Sequence, residues 1–278
     1  MSAKVSVIIV SYNSEDFIEK CLVSLRVIAK QSLLGSEIIV LDNGSTDKTA
    51  EIIEKFPEIK LIKSNENLGF AKGNNKAVKE ASGDYLFFLN PDTEIPKPAS
   101  QGEQVRDDAN FFYELISFYG KTSDVGIVAP RLVMENGQVQ SSVRKLPTIL
   151  GAFKEYILGM QNEYSQYVPD GSSPVEVEMV YGAAMLIKKD LFEKMGGFNE
   201  KYFLYYEDAD LCKRVRESGK KIFYHPGVSV KHLVGATKSE SDKSELNYRS
   251  SFRYHGLFGF LVLQLIFFLR RIVRSMKE

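Results

Sequence analysis

Lys4-Val5-Ser6-Val7-Ile8-Ile9-Val10-Ser11-Tyr12-Asn13 decides the fold. Its first seven residues are a nearly continuous β-branched run, the pattern of a strand buried on both faces. It stops on three polar residues. The spacing of Phe17, Ile18, Cys21, Leu22 and Leu25 then predicts a helix over 15–28. A second buried strand over 37–41 ends in Asp42-Asn43-Gly44-Ser45, and Ser45 or Thr46 can cap a helix that runs to Phe56, where Pro57 stops it. A strand over 59–62, a helix over 69–81 opened by a glycine-bearing loop, and a strand over 85–89 follow. Strands alternating with helices of this length predict an α/β fold with a doubly wound, mostly parallel sheet.

Downstream, a polar stretch after Pro96 leads into a helix carrying Phe111, Phe112, Leu115, Ile116 and Tyr119. Strands are predicted over 125–130, 175–187, 221–224 and 228–231, with helices over 189–194 and 207–219 and a sharp turn at Gly196-Gly197. Residues 135–174 have weak periodicity and scattered aromatics, and read as a partly ordered insertion over a site. Residues 257–269 are of another kind: eleven of thirteen are large and apolar, followed by Arg270, Arg271, Arg274 and Lys277. A helix of that length is about 20 Å long, short of the roughly 30 Å of bilayer hydrocarbon. It is therefore expected to lie in one leaflet with its arginines at anionic headgroups, or to pack on the core or a second subunit.

The 278 residues carry 36 basic and 36 acidic side chains, with 44% hydrophobic residues. That composition excludes disordered and low-complexity classes, and zero net charge argues against sequence-independent nucleic-acid binding. Cys21 and Cys212 lie in apolar stretches with no Cys/His cluster, so they read as buried free thiols rather than zinc ligands. The N-terminus enters the first strand with no signal-peptide pattern, which predicts an intracellular protein.

In open α/β sheets ligands bind beyond the carboxyl ends of the strands. Ser11-Tyr12-Asn13, Asp42-Asn43 and Asn90-Pro91-Asp92-Thr93 all fall there. No GxGxxG follows the first strand, and neither GxxxxGK[ST] nor GxSxG occurs, so dinucleotide, P-loop and hydrolase-elbow chemistries lose their support. A diphosphate at such a rim needs a hard cation and carboxylate oxygens to hold it, and Asp92 is placed to supply one; a turn-forming Asp is the alternative. Glu207, Asp208 and Asp210 open a helix after four apolar or aromatic residues. Capping explains one or two of them, whereas a partly buried carboxylate beside another acid suits a general base.

Together, Val5–Asn13, Val40–Asp47, Asn67-Leu68-Gly69-Phe70-Ala71-Lys72-Gly73-Asn74-Asn75, Leu89–Thr93 and Tyr205-Tyr206-Glu207-Asp208 resemble glycosyltransferase family 2, and within it the rhamnosyltransferase-like branch of bacterial polysaccharide assembly. The resemblance covers about residues 4–235. It implies a GT-A fold and inverting transfer from a nucleotide-activated sugar to a hydroxyl. On that resemblance Ser11, Tyr12, Asn13 and Asp42 lie at the nucleotide, with Tyr12 and Asp42 holding the base, while Asn67, Gly69, Lys72 and Asn74 line the ribose and diphosphate. Asn90 and Asp92 occupy the Asp-x-Asp position. Asn90 replaces the first acid, leaving one formal charge fewer. Asp208 matches the catalytic base, Glu207 orients the acceptor or tunes Asp208, and His232 matches a metal ligand of some members. The implied cofactor is a divalent metal, Mn2+ or Mg2+, the imidazole tilting the choice to manganese.

The branch implies dTDP-rhamnose as donor, with UDP-sugars next, and a glycan or polyprenyl-linked acceptor. The expected organisation is a transferase domain over 1–235, split near 95 into nucleotide and acceptor halves, and a membrane-associating tail over 236–278. The expected place is the cytoplasmic face of the cell membrane, with homo-oligomerisation left open. Two rivals stand beside this reading. A haloacid-dehalogenase-type phosphatase needs an Asp nucleophile where Asn90 stands, and a degenerate, non-catalytic partner in a membrane assembly draws on the same Asn90.

Overall fold

The computed structural model describes residues 4–31, 35–96, 111–233 and 240–275. The first half follows the predicted alternation: β1 (Val5–Ser11), α1 (Ile18–Gln31), β2 (Ser36–Asp42), α2 (Thr49–Ile53), β3 (Lys60–Lys63), α3 (Gly69–Val78) and β4 (Tyr85–Leu89). Then come β5 (Thr93–Glu94), α4 (Phe111–Lys121), β6 (Val125–Val133), β7 (Val143–Arg144), α5 (Ile149–Tyr156), β8 (Val175–Val177), β9 (Met179–Val180) and β10 (Ala184–Lys188). α6 (Lys189–Lys194), α7 (Glu207–Glu217), β11 (Lys221–His232) and α8 (Glu240–Ser275) complete the chain. Part of the polar stretch after Pro96, the region of the expected boundary near 235, Lys277 and the side chain of Arg274 lie outside the described residues.

The central sheet runs β3-β2-β1-β4-β10-β6-β11-β5, with β8 pairing on β11. β1 is parallel to β2 and β4, and β2 to β3, while β10 enters antiparallel between β4 and β6. Alternate residues of the same strands feed two cores. Val7, Ile9, Val40 and Phe87 pack toward α1 and α4, whereas Ile8, Ile39, Leu41 and Phe88 pack toward α3, α6 and α7. Cys21 belongs to the first core and Cys212 to the second, so both thiols are buried, free and on opposite sides of the sheet.

Four local expectations are corrected. α2 starts at Thr49, not after Ser45 or Thr46; the Asp47 carboxylate accepts the Thr49 N–H at 3.0 Å and the Glu15 N–H at 3.1 Å, joining two loops at once. The strand expected over 175–187 breaks into β8, β9 and β10; between β9 and β10 the Gly182 N–H turns to donate to Asp208 Oδ2 at 3.3 Å. The two strands expected over 221–231 are one, β11, with an irregularity between His225 and Ser229. The apolar helix is also longer than thirteen residues: α8 continues to Ser275 across a kink at Gly256, where φ is 68°. By length and composition Ser244–Ile272 is sufficient to cross a membrane.

Topology brings the rim together. The carboxyl ends of β1, β2 and β4 meet the amino end of β10, since the Asn90 N–H donates to Ala183 O at 2.9 Å. β5 pairs with the end of β11, setting His232 opposite Thr93.

Candidate functional site

Two cavities share this rim. A narrow crevice of about 120 Å³ is walled by Val10, Tyr12, Ser14, Asn67, Gly69, Asn90, Asp92 and Phe203 among others. A wider cavity of about 580 Å³, within the usual range for small-molecule sites, is walled by Asn90, Arg144, Tyr181, Tyr206, Glu207, Asp208, His232 and neighbours. Phe70, Asn90 and Leu204 belong to both, so the two join at Asn90.

Parallel register builds the crevice side. Ser11 and Asp42 are paired residues at the ends of β1 and β2. Both are buried, and Ser11 Oγ and Asp42 Oδ1 are buried polar atoms with no hydrogen-bond partner. Most buried polar atoms are partnered, so this orphan pair, set behind the crevice next to Tyr12, is an unusual feature of the strand ends. Asn67 and Gly69 are held there by Asn43, whose amide donates to Asn67 Oδ1 at 3.0 Å and to Gly69 O at 3.2 Å while its own oxygen accepts the Leu68 N–H at 2.9 Å. Gly69 has φ +78°, and a Cβ there would stand 2.4 Å from Phe203 O. Phe70 N–H donates to that same carbonyl at 2.7 Å, so the β3–α3 loop is fastened to the loop that precedes Asp208.

Not every expected residue reaches the site. Asn13, at φ 48°, uses its side-chain amide oxygen to accept the Thr46 N–H at 2.8 Å and is exposed. Asn74 is buried and donates to Phe70 O within α3 at 2.9 Å. Lys72 is exposed on α3, and among the residues described neither it, Ser11, Asn13, Asp42 nor Asn74 lines either cavity. Asn13 and Asn74 therefore shape the backbone beside the crevice.

At the seam, Asp92 Oδ1 lies 3.4 Å from His232 Nε2, and both side chains are largely buried. The His232 Nδ1–H donates to Gln140 Oε1 at 2.8 Å, a carbonyl oxygen being able only to accept. That fixes the ring and turns Nε2 toward the carboxylate, the arrangement seen when a second partner orients a metal-binding imidazole. Two ligands in neighbouring positions about 2.1 Å from one ion stand about 3 Å apart. The 3.4 Å separation of Asp92 and His232 is compatible with this. Among the described residues no group of three or more His, Cys, Asp or Glu side chains converges.

Across Asn90 stands the acidic pair. Tyr205 and Tyr206 take φ of 69° and 68°, a left-handed pair that tips the start of α7 into the wide cavity. Such strain in non-glycine residues persists where the surroundings enforce it, and it clusters at functional sites. Tyr206 is held by Tyr254 of α8 at 5.1 Å, and Ser250 Oγ donates to Leu204 O at 2.7 Å. Asp208 Oδ2 accepts the Gly182 N–H at 3.3 Å, and Oδ1 accepts the Ala209 N–H at 2.7 Å. Burial raises the Asp208 pKa, opposed by these N–H donors and by the Arg144 charge. Glu207 is 5% exposed and its Oε2 has no hydrogen-bond partner; burial and then the Asp208 charge raise its pKa well above the usual carboxylate range. Asp210 is engaged by Arg214 at 2.7 Å and lines neither cavity among the residues described.

Several contributors have no sequence motif behind them. Gln140, Arg144, Tyr181, Gly182, Ser244 and Asn247 reach the cavity or its ligands from three separate segments.

The Glycosyl transferase family 2 model matches residues 6–102, and the model for the N-terminal domain of galactosyltransferase matches residues 158–235. N-acetylglucosaminyl-diphospho-decaprenol L-rhamnosyltransferase of Mycobacterium tuberculosis (strain CDC 1551 / Oshkosh) is 26% identical over 264 residues, covering 88% of this chain and 81% of that one. Rhamnosyltransferase WbbL of Escherichia coli (strain K12) is 28% identical over 265 residues, covering 90% of this chain and 92% of that one. Among solved structures, GalNAc-T7 with UDP, GalNAc and Mn2+ superposes with TM-score 0.60 at 15% identity, over 84% of this chain. The chain spans 44% of that protein's length, and the likeness shows the shared GT-A fold.

Proposed function

From the premise that this chain belongs to the family 2 glycosyltransferases, we propose that it transfers rhamnose, with inversion, from a nucleoside-diphosphate donor to a hydroxyl of a lipid-linked glycan. The observation that carries this reading is the seam at Asn90. On one side lies a crevice walled by Tyr12, Asn67 and Asp92, and on the other the Glu207–Asp208 pair in a cavity of sugar-binding size. A donor lodged across the seam has its leaving group and an incoming hydroxyl on opposite sides of the anomeric carbon.

Asp208 is the general base. As the acceptor oxygen bonds to the anomeric carbon, its proton passes to a carboxylate oxygen of Asp208, and the bond to the nucleoside diphosphate breaks with the electron pair leaving on phosphate oxygen. Such a base typically contributes 10²–10⁴-fold, about what a positioned carboxylate supplies elsewhere. Glu207, whose proton affinity is raised by burial and then by the Asp208 charge, is placed to tune Asp208. Tyr12 and Asp42 take the base of the nucleotide, and Asn67 the ribose side. Asp92 and His232 hold a divalent cation, Mn2+ or Mg2+; when bound, it offsets the charge that gathers on the departing diphosphate.

Residues 1–235 form the transferase domain in this reading, with 1–95 serving the donor and 96–235 the acceptor. Residues 236–278 hold the enzyme at the cytoplasmic face of the membrane. Support comes from the exposed apolar residues of α8, among them Leu257, Phe258, Leu261, Leu265 and Phe268, followed by exposed Arg270 and Arg271. The acceptor class follows the M. tuberculosis relative, whose name specifies a diphospho-decaprenol acceptor.

The test is turnover by the full chain in detergent micelles of a nucleotide-sugar panel, dTDP-rhamnose and UDP-hexoses, with manganese and with EDTA. The expected result is nucleoside diphosphate release with dTDP-rhamnose that depends on both metal and acceptor. No release with any donor would overturn the reading in favour of a non-catalytic partner, for which Asn90 in place of an acid is the residue to examine.

A further inference from the structure

We infer that Arg144 is a binding residue for an anionic phosphate group on the acceptor, placed between the Asp208 carboxylate and the apolar surface made by α5 and α8. The inference rests on the reading of the wide cavity as the acceptor site.

Arg144 ends the two-residue strand β7, which is pinned by the fully buried Val143 and by antiparallel pairing to β9. Its guanidinium lies over the Tyr164 ring, 4.8 Å from the centroid, and lines the wide cavity. Yet its Nε and Nη2 are buried with no hydrogen-bond partner. A guanidinium offers donors only and cannot shed its charge, so burying two of its nitrogens unpartnered costs the fold stability that a bound anion returns. Nearby, His255 Nε2 is also buried without a partner, and its ring meets that of Tyr206, another wall of the cavity, at 5.9 Å.

Position selects the source of the anion. The diphosphate of the donor belongs to the seam at Asp92 and His232; Arg144 shares the wide cavity with His232 but does not line the crevice that holds Asp92. Beyond Arg144 the chain passes through Pro147 into α5, which packs on α8 through Ala152, Leu263 and Ile266. The outer faces of both helices are apolar and exposed: Leu150 is 61% exposed and Phe258 79%. An acceptor with its sugar hydroxyl at Asp208, a phosphate at Arg144 and an apolar chain on α5–α8 satisfies all three surfaces in the order in which they occur. Planar bidentate contact is what Arg offers a phosphate and Lys does not.

Isothermal titration of the full chain in detergent micelles with EDTA, using farnesyl diphosphate and farnesol as probes, tests this without requiring turnover. Wild-type protein is expected to bind farnesyl diphosphate at least about tenfold more tightly than farnesol, a ratio typical of charge-assisted hydrogen bonds. Arg144→Gln should remove that advantage and Arg144→Lys should keep part of it, while dTDP affinity measured with manganese changes by less than about twofold. If Arg144→Gln does not fold, as judged by its melting curve, Arg144→Lys alone decides, through a partial loss of the same ratio. Equal binding of farnesyl diphosphate by wild type and the variants overturns the inference. So does an equal loss of dTDP binding, which would assign the anion to the donor. Absence of glycosyl transfer in the donor panel would sink the proposed function while leaving this binding result in place.

Discussion

The two cavities are built by different means. Except for Phe203 and Leu204, the crevice is walled from the first 92 residues, at the ends of successive parallel strands and in the loop that opens α3. The wide cavity collects side chains from Phe70 to Asn247, from the broken strand at Gly182, from β7, from a strained tyrosine pair and from a helix after the sheet is complete. One is a consequence of strand order; the other is an assembly of loops around an antiparallel strand. Roles differ as well: the crevice holds Asp92, whose partner His232 faces the wide cavity, and the wide cavity holds the acids whose pKa values burial raises.

Changes that act on one cavity and spare the other sharpen this division. The largest effect belongs to the wide cavity. Asp208→Asn should lower kcat by about 10²–10⁴-fold while dTDP affinity stays near wild type, measured by steady-state turnover and titration on the same preparation. Because burial raises the Asp208 pKa, transfer by the wild type should fall on acidification from a point above the ordinary carboxylate range. An acid limb near pH 4 would remove Asp208 from that role.

At the seam, Asp92→Ala and His232→Ala should each raise the manganese concentration needed for half-maximal rate, with Gln140→Ala costing about 10–100-fold through the ring orientation. Unchanged metal dependence in all three would detach the pair from the cation.

The smallest effect is one of stability and has the opposite sign. Glu207 and Asp208 bind protons more tightly in the folded chain than when unfolded. The fold therefore loses stability as pH rises from the ordinary carboxylate range, near 4, through their raised values. Glu207→Gln removes part of that loss and should lift the melting temperature at pH 7 by about 2–4 °C, for about 1 kcal/mol, while slowing transfer. The gain should vanish at pH 4; a gain independent of pH would assign it to packing.

How much of this was legible follows the same division. The bounds of β4, the stripe of α1 on Ile18, Cys21, Leu22 and Leu25, and the strand-end position of Asp42 and Asp92 follow from β-branched runs and helical spacing, which are local. The pairing of Asp92 with His232 joins residues 140 positions apart through β5 and β11, and only the family resemblance pointed to it. Asn13 and Asn74 were expected at the nucleotide because their motifs lie beside it; their side chains instead bond to backbone, a choice made by loop geometry. Arg144 lies in a stretch of weak periodicity, and nothing in Val143-Arg144-Lys145 tells a buried guanidinium from a solvated one. Tyr205 and Tyr206 carry no sign of left-handed backbone, which glycine or asparagine would have advertised.

The central claim, that base and leaving group face each other across Asn90, is tested most directly by the configuration of the product. With dTDP-rhamnose, manganese and a lipid-linked glycan acceptor, the anomeric coupling and shift of the newly transferred sugar in an NMR spectrum report it. A linkage of opposite anomeric configuration to the donor is the result expected of one displacement with Asp208 as base. Retention of the donor configuration would contradict it.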